Sequence, residues 1–405
     1  MKAQGAPVPT PRVSSLPLRV LYVSDTGGEL GGAERSLLSL VEHLDPTRYA
    51  LHALLFEEGR FATLLRNARV AVVVSRLGLI ARTRNPLKLL LYALRFVHGV
   101  IRLAWLIRRR RIQLVHINKN TLAVHAIPAA RLARARCVWH VRNPVNNFGR
   151  IGAWLVRHCD RLLCVSESIA APFRRQFPQV DAKIALVPEG IEPAPYADRE
   201  AGRALRRELG IAPETRLVGT VGRITPWKGQ DDFLRAAALL AGRHPKARFL
   251  VVGDCVSSRA EAAADAAFRK RLHALAAELG IAERVIFTGF RHDVPAVMNA
   301  LDLFVLPSQE EPFGIVLLEA MAASRPIVAT AAGGVPDIAR DGHEALLVPP
   351  SDPEALAAAT GRLLSDIQLA AALAKAALAR VTTEFPLWRH AAIVRQVYSA
   401  LVPES

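Results

Sequence analysis

The feature that most constrains this chain is a series of short apolar runs that do not alternate with polar residues. In the first half they read LRVLYVS (18–24), ALHALLF (50–56), VAVVVS (70–75), IQLVHIN (112–118), RCVWHV (136–141) and RLLCVS (161–166). A strand with one wet face alternates. Continuous apolarity means cover on both faces, as in a parallel sheet wrapped by crossover helices. After a turn-rich stretch, VPEGIEPAPYADREA (187–201), a second series begins: LVGTVGR (217–223), ARFLVVGD (247–254), RVIFTGF (284–290), LDLFVLPS (301–308), PIVAT (326–330) and ALLVP (345–349). Helical patterns separate the runs throughout, so the expected class is α/β, with two doubly wound domains in tandem. With 405 residues, 51% of them apolar, the chain can fill two such cores.

The expected boundaries follow. Residues 1–17 form a flexible Pro-rich tail without the apolar core of a leader peptide. Residues 18–187 form the first domain, 188–200 a linker and 201–382 the second domain. Residues 383–405 form a C-terminal helix expected to pack back toward the first domain. Open parallel sheets bind ligands beyond the carboxyl ends of their strands, which puts the natural site in a cleft between the two domains.

Cysteine usage and charge narrow the function classes. The four cysteines, Cys137, Cys159, Cys164 and Cys255, form no C-x-x-C pair. That argues against a structural zinc site or a disulfide framework and fits a reducing cytosol. Residues 1–200 carry 30 Lys+Arg against 14 Asp+Glu, whereas residues 201–405 carry 23 against 22. Between Gly59 and Cys159 there are 20 basic residues and no acidic one. Such a field suits an anionic partner, phospholipid or nucleic acid; the plainer alternative is a solvated basic face.

Each motif that could carry chemistry follows a strand. SDTGGELGGAERSLLSL brings Gly31 and Gly32 to the start of a helix, where backbone N–H groups can approach an anion. It is neither a P-loop nor a dinucleotide fingerprint, and it could be an ordinary tight turn. In VGRITPWKGQDDFL, Arg223 and Lys228 sit beside a helix N-terminus, where electrostatics favour acids. A bound diphosphate would account for them. In SQEEPFGIVLLEAMA, Glu311 lies in the loop before a helix and Glu319 about one and a half turns inside it. Phe313, Gly314 and Ile315 offer free N–H groups at the helix tip. Nothing here supplies the paired-carboxylate geometry of a glycosidase. A clamp, with one Glu for each piece of an extended ligand, fits better.

GGAE (31–34), GRITPWKG (222–229), EEPFGIVLLEAMA (310–322) and GGVPDIARDG (333–342) are similar, in order and spacing, to glycosyltransferase family 4. Those are retaining nucleotide-sugar enzymes of GT-B architecture, two Rossmann-like domains facing a central cleft. The resemblance covers nearly the whole chain after residue 17. It implies that Arg223 and Lys228 bind the donor diphosphate, with Gly31 and Gly32 approaching from the opposite domain. It implies that Glu319 bonds the ribose, and that Glu311 with the amides of Phe313, Gly314 and Ile315 holds the transferred sugar. Phe290 and Arg291 would flank the nucleobase, and His140 resembles the family's active-site histidine. At the linker the family often has Asn-Gly-Val/Ile-Asp; here Glu189-Gly190-Ile191-Glu192 stands instead, and no role is carried onto it.

The expectation is therefore a metal-independent, cofactor-free retaining hexosyltransferase using a nucleotide diphosphate sugar, with UDP favoured. No D-x-D motif occurs, so cationic side chains and helix N-termini would meet the phosphate charge. The alternatives are an epimerase or phosphorylase on the same fold, or a non-catalytic basic adaptor binding membrane or nucleic acid. Intact Arg223, Lys228, Glu311 and Glu319 count against the adaptor, and no nucleic-acid partner is expected. PLKLLLYALRFVHGVIRLAWLIRRRRI (86–112) is long enough to cross a bilayer but is broken by Lys88, Arg95, His98 and Arg102. On a helix, Lys88, Arg95, Arg102 and Arg109 form a narrow cationic stripe. Part of the apolar remainder must cover the sheet. The outer side and Arg108, Arg109, Arg110 and Arg111 are expected to lie on an anionic membrane at the inner face of the cell membrane, serving a lipid-linked or saccharide acceptor.

Overall fold

The computed structural model describes residues 16–26, 30–78, 85–145, 148–255 and 262–403. Most of the expected N-terminal tail lies outside them. The first sheet holds seven parallel strands: β1 (Leu18–Val23), β2 (Tyr49–Leu55), β3 (Ala71–Val74), β4 (Leu114–Ile117), β5 (Arg136–Val141), β6 (Arg161–Cys164) and β7 (Ile184–Leu186), in the order β3-β2-β1-β4-β5-β6-β7. The second holds six: β8 (Arg216–Val221), β9 (Ala247–Val252), β10 (Val285–Gly289), β11 (Leu303–Leu306), β12 (Ile327–Thr330) and β13 (Leu346–Val348), in the order β10-β9-β8-β11-β12-β13. All pairings are parallel, as the unalternating apolar runs require. Every strand coincides with one of the apolar runs except β7, three residues at the sheet edge beside the linker.

Both sheets reverse their order once, between β1 and β4 and between β8 and β11. Neighbouring loops at such a switch leave in opposite directions and open a crevice. The loops after β1, β8 and β11 carry Gly31 and Gly32, Arg223 and Lys228, and Glu311. The fold therefore delivers the sequence motifs to its two natural crevices.

The helix Leu387–Leu401 returns to the N-terminal domain. Ala391, Val394 and Tyr398 are buried in one core with Val20 and Tyr22 of β1 and with Leu37 and Leu40 of the helix Gly32–Glu42. The linker and this returning segment are joined, Ile191 N donating to Phe385 O and Leu387 N to Ile191 O. Gly190 makes the crossing possible: a Cβ there would stand 2.7 Å from Leu387 Cα.

The helix Pro86–Arg109 is capped by Asn85, whose side chain accepts from Leu87 N and Lys88 N. Gly99, Val100, Leu103, Ala104 and Ile107 form its buried side. Leu87, Leu90, Leu94, Val97, Ile101 and Trp105 remain exposed. By length and composition this helix could cross a membrane, and most of its apolar window is uncovered.

Candidate active site

The loop after β11 turns into the helix Ile315–Ala322 at Gly314, whose φ of 105° lies in a region that favours glycine. No side chain caps this helix, so its first N–H groups stay available. Glu311 is buried beside it and accepts from Lys228 Nζ at 2.6 Å and from Ser308 Oγ at 3.0 Å, both on Oε2. Lys228 reaches it from a 3-10 turn, Pro226–Lys228, with its ammonium 4.6 Å from the centre of the Trp227 ring. The following Gly229 has φ 68°, and a Cβ there would stand 2.0 Å from Pro307 O. Only glycine lets the chain pass so close to the end of β11.

Arg223 donates to Asp265 Oδ2 through Nη2 at 2.8 Å and Nε at 3.2 Å. Both cations assigned to a diphosphate thus already rest on carboxylates. Glu319 has a different partner: Tyr196 OH donates to its Oε1 at 3.0 Å. Burial raises the Glu319 carboxyl above its ordinary pKa, opposed by that hydrogen bond and by the positive charge of Arg35. The two glutamates therefore sit in separate surroundings, one against an ammonium and one against a phenol.

The N-terminal domain supplies the opposite wall. Gly31 caps the helix Gly32–Glu42, and the place of a Cβ on Gly32 is 3.6 Å from Ile315 Cδ1. Two helix starts, one from each domain, thus meet across the cleft. Beside them Lys119 Nζ pairs with the buried Glu34 at 2.7 Å. Further out, Arg60 Nη1 lies 3.3 Å from His292 Nδ1, again across the cleft. Phe290 is exposed, with His292 edge-on at 4.7 Å between ring centres. Arg291 is committed to Glu208 and Asp293, at 2.8 and 2.7 Å.

His140 lies at the end of β5, buried in a row of polar side chains. It has no exposed surface, and its Nδ1 faces His116 Nε2 at 3.2 Å and Arg142 Nη2 at 3.1 Å. His116 Nδ1 in turn meets Tyr398 OH at 2.6 Å, and the His390 ring stacks at 6.0 Å. Residues alternate sides along a strand, so His140 faces this polar row beneath the returning helix. In this conformation it touches none of Lys228, Glu311 or Glu319.

Arg142, just past β5, was missed by the sequence reading. Its guanidinium pairs with Glu189 and donates to Ser36 Oγ at 2.7 Å, while Ser36 donates to Glu189. The acid that departs from the family pattern at the linker is therefore matched by a buried arginine. Burial pushes the Arg142 guanidinium down to about 9.

Arg108, Arg109, Arg110 and Arg111 are all exposed. Arg108 donates to Leu132 O, and Arg109 lies 4.9 Å from the centre of the Trp105 ring. A hollow of about 300 Å³ lined by Arg216, Leu303 and Pro326 lies at the amino ends of β8, β11 and β12, the face away from the motifs. Among the described residues, no three His, Cys, Asp or Glu side chains are grouped to hold a metal ion.

Residues 30–194 match the family model described as Glycosyltransferase Family 4, and residues 203–380 match that of Glycosyl transferases group 1. The chain belongs to glycosyltransferase family 4. The solved structure of Anabaena Alr3699/HepE in complex with UDP and glucose is 25% identical to this chain, with a TM-score of 0.79, covering 95% of this chain and 100% of that one. A glycosyltransferase from Rickettsia africae, 20% identical with a TM-score of 0.80 over 96% of this chain and 100% of that one, shares the fold. Among curated relatives, a D-inositol 3-phosphate glycosyltransferase of Stackebrandtia nassauensis is 36% identical over 219 residues, 52% of this chain and 47% of that one. One from Nocardia farcinica is 36% identical over 269 residues, 65% of this chain and 56% of that one. The chain spans about half the length of the curated relatives it matches.

Proposed function

We propose that this glycosyltransferase moves a hexose, with retention and without a metal ion, from a nucleotide diphosphate sugar to a lipid-linked or saccharide acceptor at a membrane surface. The observation that carries the donor reading is the Lys228–Glu311 ion pair at the switch point between β8 and β11, with Arg223 on the same loop as Lys228. Support also comes from Anabaena Alr3699/HepE, 26% identical over 95% of this chain, which was solved with UDP-glucose.

Donor entry would exchange partners. Lys228 and Arg223 turn to the diphosphate, and Glu311 is released to accept hydrogen bonds from sugar hydroxyls. Glu319 takes the ribose hydroxyls. The helix starts at Gly32 and Ile315 direct partial positive charge at the bond being broken, where negative charge grows on the leaving phosphate. With retention, that leaving oxygen also receives the acceptor's proton. Contact between the domains limits hydrolysis of the donor by excluding water. Phe290 offers a face to the nucleobase, with Arg291 bordering it.

The membrane part of the reading rests on the exposed apolar side of Pro86–Arg109 and the four arginines that end it. A polyol phosphate is the acceptor named for the curated relatives, and an acceptor panel should include one. The test incubates purified protein with a nucleotide-sugar panel, reads thermal shift, and follows the product by NMR. UDP-sugars should raise the melting temperature, and the anomeric configuration of the donor should be kept. An inverted product overturns the retaining mechanism.

A further inference from the structure

The helix Glu167–Gln176 starts at the end of β6 in the N-terminal domain, yet its first turn is completed by the other domain. Its cap Ser166 accepts from Ile169 N at 3.3 Å and donates its own proton to Pro312 O at 2.6 Å. The next amide, Glu167 N, donates to Asp337 Oδ2 at 2.7 Å. Asp337 follows Gly333 and Gly334, and Gly334 N donates to Glu311 O at 2.7 Å. The carbonyls of Glu311 and Pro312 are thus both held, one from within the domain and one from across the cleft.

The fit leaves no slack. Gly333 has φ 57°, with Glu311 O 2.1 Å from the place of a Cβ. A Cβ on Gly334 would stand 2.7 Å from Pro312 O and 2.8 Å from Ser166 Cβ. The carboxylate of Asp337 also suits the positive end of the helix it meets. What these groups fix is the backbone that carries Glu311.

We propose that Ser166 and Asp337 are positioning residues, through which contact between the two domains sets the Glu311–Pro312 backbone and so aims the Glu311 carboxylate at the donor sugar. This rests on the donor reading above. It predicts a split between binding and turnover, because Lys228, Arg223 and Glu319 hold the nucleotide without help from Ser166 or Asp337.

The experiment compares Ser166→Ala, Asp337→Ala, Asp337→Asn and Gly334→Ala with the parent chain. UDP affinity is read by calorimetry, turnover with a UDP-sugar, and amide hydrogen exchange over residues 333–338. Ser166→Ala and Asp337→Ala should keep the UDP Kd within about twofold and lower kcat roughly ten- to a hundredfold, as a small misplacement of a contacting group does. Asp337→Asn keeps an acceptor oxygen for Glu167 N and should recover most of the loss. Gly334→Ala should act as a wedge and match Ser166→Ala. Exchange over 333–338 should quicken in Ser166→Ala, although the change lies in the other domain. Unchanged kcat with unchanged exchange overturns the proposal, as does a kcat loss matched by an equal loss of UDP affinity. If the parent chain binds no nucleotide diphosphate, the donor reading fails and the exchange comparison alone decides the positioning role.

Discussion

Lys228 is the residue at which the proposed donor reading is most directly tested. It pairs with Glu311 in this structure and would meet the diphosphate in the complex. Lys228→Ala or Arg223→Ala should weaken donor binding by about 1.5–3 kcal/mol each, the usual worth of a charged hydrogen bond. Unchanged UDP affinity in both variants by calorimetry would sink the diphosphate assignment. The glutamates should part company: Glu319→Gln lowers affinity for the free nucleotide, while Glu311→Gln spares it and impairs transfer. Because the Glu319 carboxyl is raised above its ordinary pKa and must be ionised to accept two hydroxyl protons, nucleotide affinity should fall as pH drops through that raised value. Glu319→Gln should abolish that dependence. At this scale the sequence was half legible. Glu311, Lys228 and Glu319 lie in local motifs, but their partners do not. Lys228 and Glu311 are 83 positions apart, Tyr196 and Glu319 are 123, and Arg142 and Glu189 are 47. No periodicity joins residues at such distances. Arg142 left one trace, a cation just past a buried strand in a stretch without acids, which had to find its carboxylate elsewhere in the chain.

Among the elements, the helix Pro86–Arg109 was the hardest to assign from sequence, because apolar residues surround it almost completely. The cationic stripe is real in the sense that Lys88, Arg95, Arg102 and Arg109 are all exposed. Which apolar side is buried was illegible, since Leu, Val and Phe suit both surfaces. The buried side packs on the helix Ala123–Ala133, with Gly99 beside His125 and Leu103 in the core, which leaves Leu94, Val97, Ile101 and Trp105 to solvent. The helix Ala123–Ala133 packs on it and carries exposed Leu132, and Gly149–His158, packed on that helix in turn, carries exposed Ile151 and Trp154. An exposed apolar strip beside arginines has the make-up of a helix lying in a lipid interface. Each basic residue near an anionic surface adds roughly 1 kcal/mol. Liposome co-sedimentation should rise with anionic lipid and fall with salt. Reversing the charge of Arg108, Arg109, Arg110 and Arg111 should release the protein without changing UDP affinity. Equal binding to neutral and anionic vesicles, or none to either, would refute the electrostatic anchor.

For the whole molecule, the parallel sheets and their order of appearance were legible because continuous apolar runs permit little else. The return of the C-terminal helix to the first domain was expected too, but not the contacts that seat it. Buried polar groups tie the linker and the returning helix to the first domain: Arg142 with Glu189, His390 Nδ1 with Pro188 O at 2.8 Å, and Tyr398 OH with Tyr22 OH at 3.3 Å. Burial holds His390 down to about 4, and the positive charge of Arg142 adds to the effect. His116 and His140 are held well below their ordinary value, by burial first and then by Arg142. All three are therefore neutral in the folded chain at pH 6, while their unfolded counterparts take up protons below about 6.5. The unfolded state then binds more protons, so their contribution to stability is complete above that pH and is lost as pH falls toward 4. For His390 alone the loss is on the order of 3 kcal/mol. Glu319 and Asp337, with raised carboxyl values, work in the opposite sense. The difference between variants, rather than the bare slope, is therefore diagnostic. His390→Gln should flatten the fall in melting temperature between pH 6.5 and 4, and the returning helix should be the first segment to gain hydrogen exchange as the parent chain is acidified. A variant with the parent's slope would mean that His390 becomes charged as readily in the folded chain as in the unfolded one, and that this polar row does not tie the returning helix to the first domain through its neutral state.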